Sequence, residues 1–344
     1  MNKNILVTGG SGYIGTHVLV SLLKDNFVPV VIDNLSNSSF KSIKKVQEIT
    51  KKNIEFHNCD INDTGKVQDI FNRKNFSGVI HLAGLKSVSD SCNNPINYYE
   101  NNFLGSLNLL KIMQKNNVNN FIFSSSATVY GNPIRVPIKE NFELNPTNPY
   151  GRSKLMVEQL CFDLADRGDI DFKIKIMLLR YFNPIGAHPS GKIGEDPKDI
   201  PNNIMPYMSQ VASRKLRELT IFGDDYNTID GTGVRDYIHV CDIAEGHVAA
   251  LKYILDRPDN KSFCTPVNLG TGRGYSVLQL LRSFKNVNKL NIPYKFGDRR
   301  DGDIAECFAD SSLANKLLKW KSKKNLDDMV KDSWNWQKNN PNGY

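Results

Sequence analysis

Tyr150 and Lys154 stand four residues apart in NPYGRSK, a spacing that puts a phenol and an ammonium on one face of a helix. Pro149 suits a first helical position, and apolar residues recur at helical spacing through the following LMVEQLCFDLADR, so a helix is expected to begin there. A phenol, with a pKa of about 10, is a poor base at neutral pH. A cation one turn away favours the phenolate, and the pair can then take a proton from a substrate alcohol and return it. The same pair can also be a contact on a solvated helix face, so the rest of the chain has to decide.

The elements around the pair are those of a dinucleotide site. The apolar runs ILVT, VPVVI, IEFHN, GVIHL and FIFSS alternate with longer amphipathic stretches, the pattern of a parallel sheet covered by helices on both faces. The first run leads directly into Gly9-Gly10-Ser11-Gly12-Tyr13-Ile14-Gly15. Gly9, Gly12 and Gly15 permit a tight turn, close approach of backbone to a pyrophosphate and close packing of helix on strand, and the helix N-terminus then faces the anion. Asp33 closes the second run. A carboxylate there can accept hydrogen bonds from ribose hydroxyls and repel a 2′-phosphate, which favours NAD over NADP; it can also serve as a turn or cap residue. Asp60 closes the third run and is expected near the adenine. Small residues Ala83 and Gly84 at the end of the fourth run, in HLAGLKSV, leave room for a ligand. The fifth run ends in SSSATVYG, placing hydroxyls at the edge to which Tyr150 and Lys154 are delivered.

Composition narrows the partners. With 344 residues, 40% hydrophobic and 23% charged, the chain reads as an ordinary globular protein of one large or two smaller domains. No apolar run approaches the roughly 20 residues of a membrane span, and no cleavable leader pattern precedes the first strand, so a cytoplasmic protein is expected. The net charge of +8 is dispersed and not interleaved with aromatics, so no nucleic-acid or membrane partner is expected. Six scattered cysteines and six histidines lack ligand spacing, so free thiols and no metal are expected.

The strings TGGSGYIG, HLAGLKSV, YYENNFLGSLNLL, FIFSSSATVYG, NPYGRSKLMVEQ, LLRYFNPIGAHPSG and DGTGVRDYIHV resemble the extended short-chain dehydrogenase/reductases, and within them the nucleotide-sugar 4-epimerases, from the first strand to the closing WNWQKNNPNGY. The resemblance implies an α/β fold: a Rossmann-type doubly wound parallel sheet over residues 1–180 that binds NAD, and a smaller C-terminal α/β domain over 181–344 that binds a UDP-sugar, with a segment near 237–262 packing back on the first domain. It implies Tyr150 as base, Lys154 as its cationic neighbour and a ligand of the nicotinamide ribose, and Ser126 as the bridge between sugar O4 and phenol, with Thr128 close by. By the same matching Gly9, Gly12, Tyr13, Ile14, Gly15, Asp33, Asn34, Asn37, Ser38, Asp60, Ile61, Leu82, Ala83, Gly84, Lys86, Asn101, Ser124 and Tyr181 fall on NAD.

Past LLRYFN a Gly/Pro-rich stretch, NPIGAHPSGKIGEDPKDIPNN, replaces the alternation and argues for an irregular region covering a ligand. The resemblance assigns Arg235 and Arg300 to the diphosphate, which guanidinium can grip with two parallel hydrogen bonds. Taken alone, each reads more readily as a surface ion-pair residue beside Asp236 or Asp303. Lys86, Phe182, Asn183, Asn203, Ile204, Thr220, Phe222 and Asp303 match the remaining UDP-sugar contacts. At Cys307 the family varies between tyrosine and a small residue beside the sugar C2 substituent. A cysteine there implies room for an N-acetyl group. The implied reaction is NAD-dependent interconversion of UDP-galactose and UDP-glucose at C4 through a transient 4-ketose, extended to the N-acetylated pair, in a homodimer built on helices near 95–116 and 150–166. Two alternatives stand beside it: a nucleotide-sugar 4,6-dehydratase, which needs an Asp/Glu pair absent from Ser126-Ala127-Thr128-Val129-Tyr130, and a non-catalytic NAD-binding regulator.

Overall fold

The structure, a computed structural model, describes residues 3–167, 172–198, 200–258, 261–300 and 302–344. The first half alternates strand and helix: β1 (Asn4–Thr8), α1 (Tyr13–Lys24), β2 (Val28–Asp33), α2 (Phe40–Thr50), β3 (Glu55–Asn58), α3 (Thr64–Arg73) and β4 (Gly78–His81). A helical run follows, made of α4 (Val88–Asn93), α5 (Pro95–Tyr98), a π-helical segment (Tyr99–Leu104) and α6 (Gly105–Lys115), and then β5 (Asn120–Ser126), α7 (Pro149–Asp166) and β6 (Lys175–Tyr181). The second half contains β7 (Asn183–Ile185), α8 (Ile204–Ala212), β8 (Leu219–Phe222), β9 (Val234–Arg235), β10 (Tyr237–His239), α9 (Val240–Leu255), β11 (Phe263–Leu269), β12 (Tyr275–Ser276), α10 (Val277–Asn288), β13 (Tyr294–Gly297), β14 (Glu306–Cys307), α11 (Ser312–Leu318) and α12 (Leu326–Asn339).

Seven strands form one sheet in the order β11-β6-β5-β4-β1-β2-β3, every neighbouring pair parallel. This is the doubly wound arrangement expected from the alternation, with β11 added beyond β6. Its strands are apolar on both faces because both are covered. On one face α1, α9 and α11 bury Val18, Leu22, Ile243 and Leu251 with Ile5 and Val7; on the other α3, α6 and α7 bury Ile70, Leu109 and Val157 with Leu6 and Phe121. The order reverses between β1 and β4, and ligands of such sheets bind outside the carboxyl ends of the strands at that reversal.

The segment that returns to the first half is longer than the 237–262 expected from resemblance. Helix α9 packs against α1, but β11 also pairs with β6 along Phe263–Leu269, and α11 packs on both α9 and β11. Residues 259 and 260 of the expected segment lie outside the described residues. The remaining elements form small sheets, β10-β7, β12-β9-β14 and β13-β8, around a separate core of Met208, Leu219, Tyr237, Leu281, Phe284 and Met329.

Three histidines are packed inside this frame. His17 in α1, His81 at the end of β4 and His247 in α9 are at most 1% exposed. Burial holds their pKa values down to about 3, about 3 and about 4, so they stay neutral where an unfolded chain, titrating at about 6.5, binds protons. Their contribution to stability is complete above pH 6.5 and is lost as the pH falls, by about 1.4 kcal/mol per histidine for each pH unit. The melting temperature is expected to drop steadily from pH 6.5 toward pH 4, and His247→Gln to flatten that slope; a wild-type melting temperature constant over the interval would contradict the assignment.

Candidate active site

The turn after β1 is shaped by its glycines. Gly9 sits at φ +69°, and a Cβ there would lie 2.7 Å from the Ala83 nitrogen; one at Gly15 would lie 2.3 Å from the Gly9 carbonyl oxygen. Both positions are closed to side chains by backbone. A Cβ at Gly12 would meet only the Gly9 oxygen, at 3.3 Å, so the turn is open on that side. Gly12 caps α1 without a side-chain hydrogen bond, leaving the first N–H groups of the helix facing outward, and the buried Ser11 Oγ beside them has no partner among the described residues. An open backbone cradle, uncapped helix donors and an orphaned hydroxyl suit the pyrophosphate of a dinucleotide.

Asp33 is 8% exposed. Its Oδ2 accepts from Ser11 N at 2.9 Å, and its Oδ1 from Leu35 N at 2.9 Å and Ser38 Oγ at 2.7 Å. The carboxylate therefore binds the glycine turn to the loop after β2, a structural task in addition to the one expected of it. Asn34 donates to Asp60 Oδ2 at 2.7 Å, with Ile61 buried behind and Asn37 exposed at the rim.

At the ends of β4, β5 and β6 the structure brings the proposed chemical groups together. Asn148 caps α7 by accepting from Gly151 N at 2.9 Å, and the helix carries Tyr150 and Lys154 on the face turned to β5. Lys154 Nζ donates to the Ser124 carbonyl at 2.9 Å and lies 4.9 Å from the centre of the Phe123 ring. Ser126 ends β5; its Oγ accepts from Thr128 N at 3.2 Å and pairs with Thr128 Oγ1 at 3.0 Å. Tyr181, ending β6, donates to Ser124 Oγ. Leu82, Ala83 and Gly84 follow β4 at the same edge, and a Cβ on Gly84 would lie 3.4 Å from Lys154 Nζ.

Burial pushes the Tyr150 phenol above its ordinary pKa, opposed by its hydrogen bond with Ser126. Lys154 is pulled down to about 8 by burial, opposed by the Glu158 carboxylate one turn along α7. The Lys154 ammonium points to the Ser124 carbonyl and stands 6.0 Å from the centre of the Tyr150 ring.

Asn101 lies in the π-helical segment. The residue that segment turns inward is its neighbour Asn102, which accepts from Leu85 N at 2.8 Å and donates to Leu85 O and Ser153 Oγ, both at 3.0 Å. Asn102 thus ties the loop after β4 to α7. Nothing in the pair NN distinguishes the clamp from the residue beside it, and a π turn leaves no sequence period to read.

In the second half, Arg235 donates to the Val234 and Ile304 carbonyls at 2.9 Å and lies 3.8 Å from Asp303. Arg300 pairs with Asp303 at 2.9 Å, its guanidinium 5.0 Å from the Phe222 ring centre. The other acid considered as a partner, Asp236, is fully buried and spent on Thr271 N, Gly272 N and Ala309 N at 2.8, 3.1 and 3.1 Å. Thr220 and Phe222 of β8 adjoin Gly297 of β13, and Asn183 N donates to the Asp236 carbonyl at 2.9 Å. Phe182 and Cys307 belong to an apolar cluster with Val129, Tyr130 and Ala309, and Cys307 is in register with Arg235. Lys86 and Asn203 meet on one acid not foreseen, Glu195, at 2.9 and 2.7 Å. Ile204, beginning α8, packs on the second core. Among the described residues no group of three or more His, Cys, Asp or Glu could hold a metal ion.

Known proteins are similar to this chain along nearly its whole length. The sequence profile of the family described as GDP-mannose 4,6 dehydratase matches residues 6–333. A UDP-glucose 4-epimerase of Dictyostelium discoideum is 53% identical over 344 residues, 100% of this chain and 98% of that protein. Among solved structures, UDP-glucose 4-epimerase from Bifidobacterium longum in complex with NAD+ and UDP has a TM-score of 0.93 at 48% identity, covering 99% of this chain and 100% of that one. The enzyme from Stenotrophomonas maltophila with bound NAD and formylated UDP-arabinopyranose has a TM-score of 0.94 at 45% identity, covering 98% of each chain. A parallel sheet reversing at a glycine turn, a Tyr/Lys helix at its edge and similarity over the full length place the chain in one group: it belongs to the UDP-glucose 4-epimerase family of the short-chain dehydrogenase/reductases.

Proposed function

We propose that the chain interconverts UDP-galactose and UDP-glucose by inverting the sugar C4, with NAD held along the glycine turn, and that it acts likewise on the N-acetylated pair of UDP-sugars. The observation that carries the reading is the convergence of Tyr150, Ser126 and Lys154 at the sheet edge beside the Gly9–Gly15 turn. Full-length relatives named as UDP-glucose 4-epimerases, and solved relatives holding NAD, support it. On this reading residues 1–180 serve NAD and 181–344 the UDP-sugar, with α9, β11 and α11 returned to the first part.

The open turn at Gly12, with Tyr13 and Ile14, would hold the NAD pyrophosphate, and Asp33 would meet a ribose. When bound, NAD supplies an acceptor that takes hydride from the sugar carbon and gives the same hydride back. Tyr150 takes the O4 proton as the alcohol becomes a ketone and returns it in the reverse step, with Ser126 between phenol and O4. Lys154 keeps a positive charge behind the phenol. Arg235 and Arg300 exchange Asp303 for the diphosphate and fix the UDP end. The sugar end faces the uncharged Phe182–Cys307 cluster, so the 4-ketose can turn about its tether and present its other face. The Ser126–Tyr130 segment offers no carboxylate for expelling water, which weighs against 4,6-dehydration.

The assembly proposed is a homodimer through the α5–α6 and α7 faces, which present Ile96, Leu104 and Met156 at 73%, 42% and 40% exposure. Sedimentation at twice the chain mass is expected, and at the single chain mass it would refute the pairing. We place the protein in the cytoplasm, a reading supported by its free thiols; among the described residues no helix is long and apolar enough to cross a membrane.

Turnover measured on all four UDP-sugars without added NAD tests the reaction and its breadth together. Wild-type protein is expected to convert both pairs. Tyr150→Phe should lose about 10²–10⁴ in kcat with UDP affinity and melting temperature unchanged, and a variant at the parent rate would remove Tyr150 from the mechanism. Cys307→Tyr should abolish turnover of the N-acetylated pair and spare the other; a wild-type enzyme inactive on the N-acetylated pair would refute the role given to Cys307.

A further inference from the structure

Tyr150 and Lys154 are continued one turn further along α7 by Glu158, on the same helix face and fully buried. The mechanism above leaves it without a task. Its partner Arg180, on β6, is 1% exposed. Arg180 Nε lies 3.0 and 3.2 Å from the two carboxylate oxygens, Nη2 lies 2.5 Å from Oε2, and Ser125 Oγ donates to Oε1. The guanidinium also donates through Nη1 to Tyr130 Oη at 2.9 Å and to the Glu140 carbonyl at 3.0 Å.

A buried ion pair of this kind contributes little net stability compared with apolar residues of similar volume, so its location is the informative feature. Ser124, Ser125 and Ser126 alternate along β5. Ser124 takes the Lys154 ammonium on its carbonyl, Ser126 meets Tyr150, and Ser125, between them, grips Glu158. Ser125 and Arg180 are paired residues of β5 and β6, as are Ser126 and Tyr181. The helix carrying the base is therefore fastened to the strand carrying the hydroxyls both in front, through Lys154, and behind, through Glu158.

The groups that face Lys154 leave Glu158 as its counter-charge. On α7 these are Tyr150 and Glu158; on β4, His81, kept neutral by burial; on β5, the Phe123 ring; on β6, Tyr181 and, behind the carboxylate, Arg180; on α9, neutral His247 against Tyr181. The π-helical segment contributes Asn102, which is uncharged.

We propose that Glu158 and Arg180 are positioning residues for the proton transfer: Glu158 stands as the buried counter-charge to Lys154 and sets the register at which α7 presents Tyr150 to Ser126, and Arg180 holds the Glu158 carboxylate in place. This rests on the reading of Tyr150 as the base.

Kinetic pH profiles and an ultraviolet titration of the Tyr150 phenol, obtained as the difference from Tyr150→Phe in each background, test it on Glu158→Gln, Arg180→Gln and the double variant, with melting temperatures recorded alongside. Glu158→Gln leaves Arg180 uncompensated. Its alkaline limb, set by Lys154, and its phenol titration should both move down by about one pH unit, because an uncompensated cation disfavours the ammonium and favours the phenolate. Arg180→Gln leaves the carboxylate unopposed and should move the alkaline limb the other way, while the double variant returns both toward wild type at whatever melting temperature it shows. Shifts of opposite sign are not produced by a packing defect, so either single variant that folds is informative. Variants with lower kcat or melting temperature but unmoved limbs, in a protein where Tyr150→Phe is slow, would overturn this proposal alone. A Tyr150→Phe protein at the parent rate would overturn the base assignment and this proposal with it.

Discussion

Helix α7 has to bury a phenol, an ammonium and a carboxylate on one face without leaving any of them unmatched. An isolated buried charge costs several kcal/mol, and the molecule meets the demand with the carboxyl ends of two adjacent strands. The Ser124 carbonyl accepts from Lys154, Ser125 and Arg180 satisfy Glu158, and Ser126 meets Tyr150. Those strands must end together for the match to work, which the parallel register of β5 and β6 from Asn120 to Ser126 provides. The rest of the first half serves that edge: Thr8 and Ser106 hold His81 at the end of β4 at 2.6 and 2.9 Å, and Asn102 clamps the loop that follows.

The second half is built to the opposite demand. A sugar that must show both faces to one reactive centre needs its nucleotide held and its ring free. On the proposed assignment Arg235, seated on backbone carbonyls, and Arg300, seated on Asp303, would hold the diphosphate, while the neighbouring Phe182–Cys307 cluster is apolar. Asp236 holds the small sheets around them by accepting from three backbone N–H groups.

How much of this was legible in the residues depended on how local each feature is. The glycine turn, Asp33 and the Tyr/Lys helix could be read directly, because spacing along a single strand or helix decides which side chains share an edge. Partners contributed from distant segments could not. Asp236 beside Arg235 reads as an ion pair, yet its carboxylate turns into the core and Asp303 takes both arginines. Glu158 reads as one more polar position on an amphipathic helix, and only the arrival of Arg180 from β6 makes it a fixed point. Glu195 joins Lys86 to Asn203 from within a stretch that has no period at all. The length of the segment returning to the first half was missed for the same reason: β11 is an ordinary apolar run until the register with β6 is known.

The scaffold is shared with enzymes that expel water from their sugar, as the matching profile of GDP-mannose 4,6 dehydratase illustrates, so the central claim concerns which hydrogens move. On this account one hydride leaves and re-enters C4, one proton shuttles through Tyr150, and no other sugar carbon is deprotonated. Conversion of UDP-galactose in deuterium oxide measures this directly. The account predicts UDP-glucose with protium retained at C4 and C5, and deuterium incorporated at either carbon would contradict it.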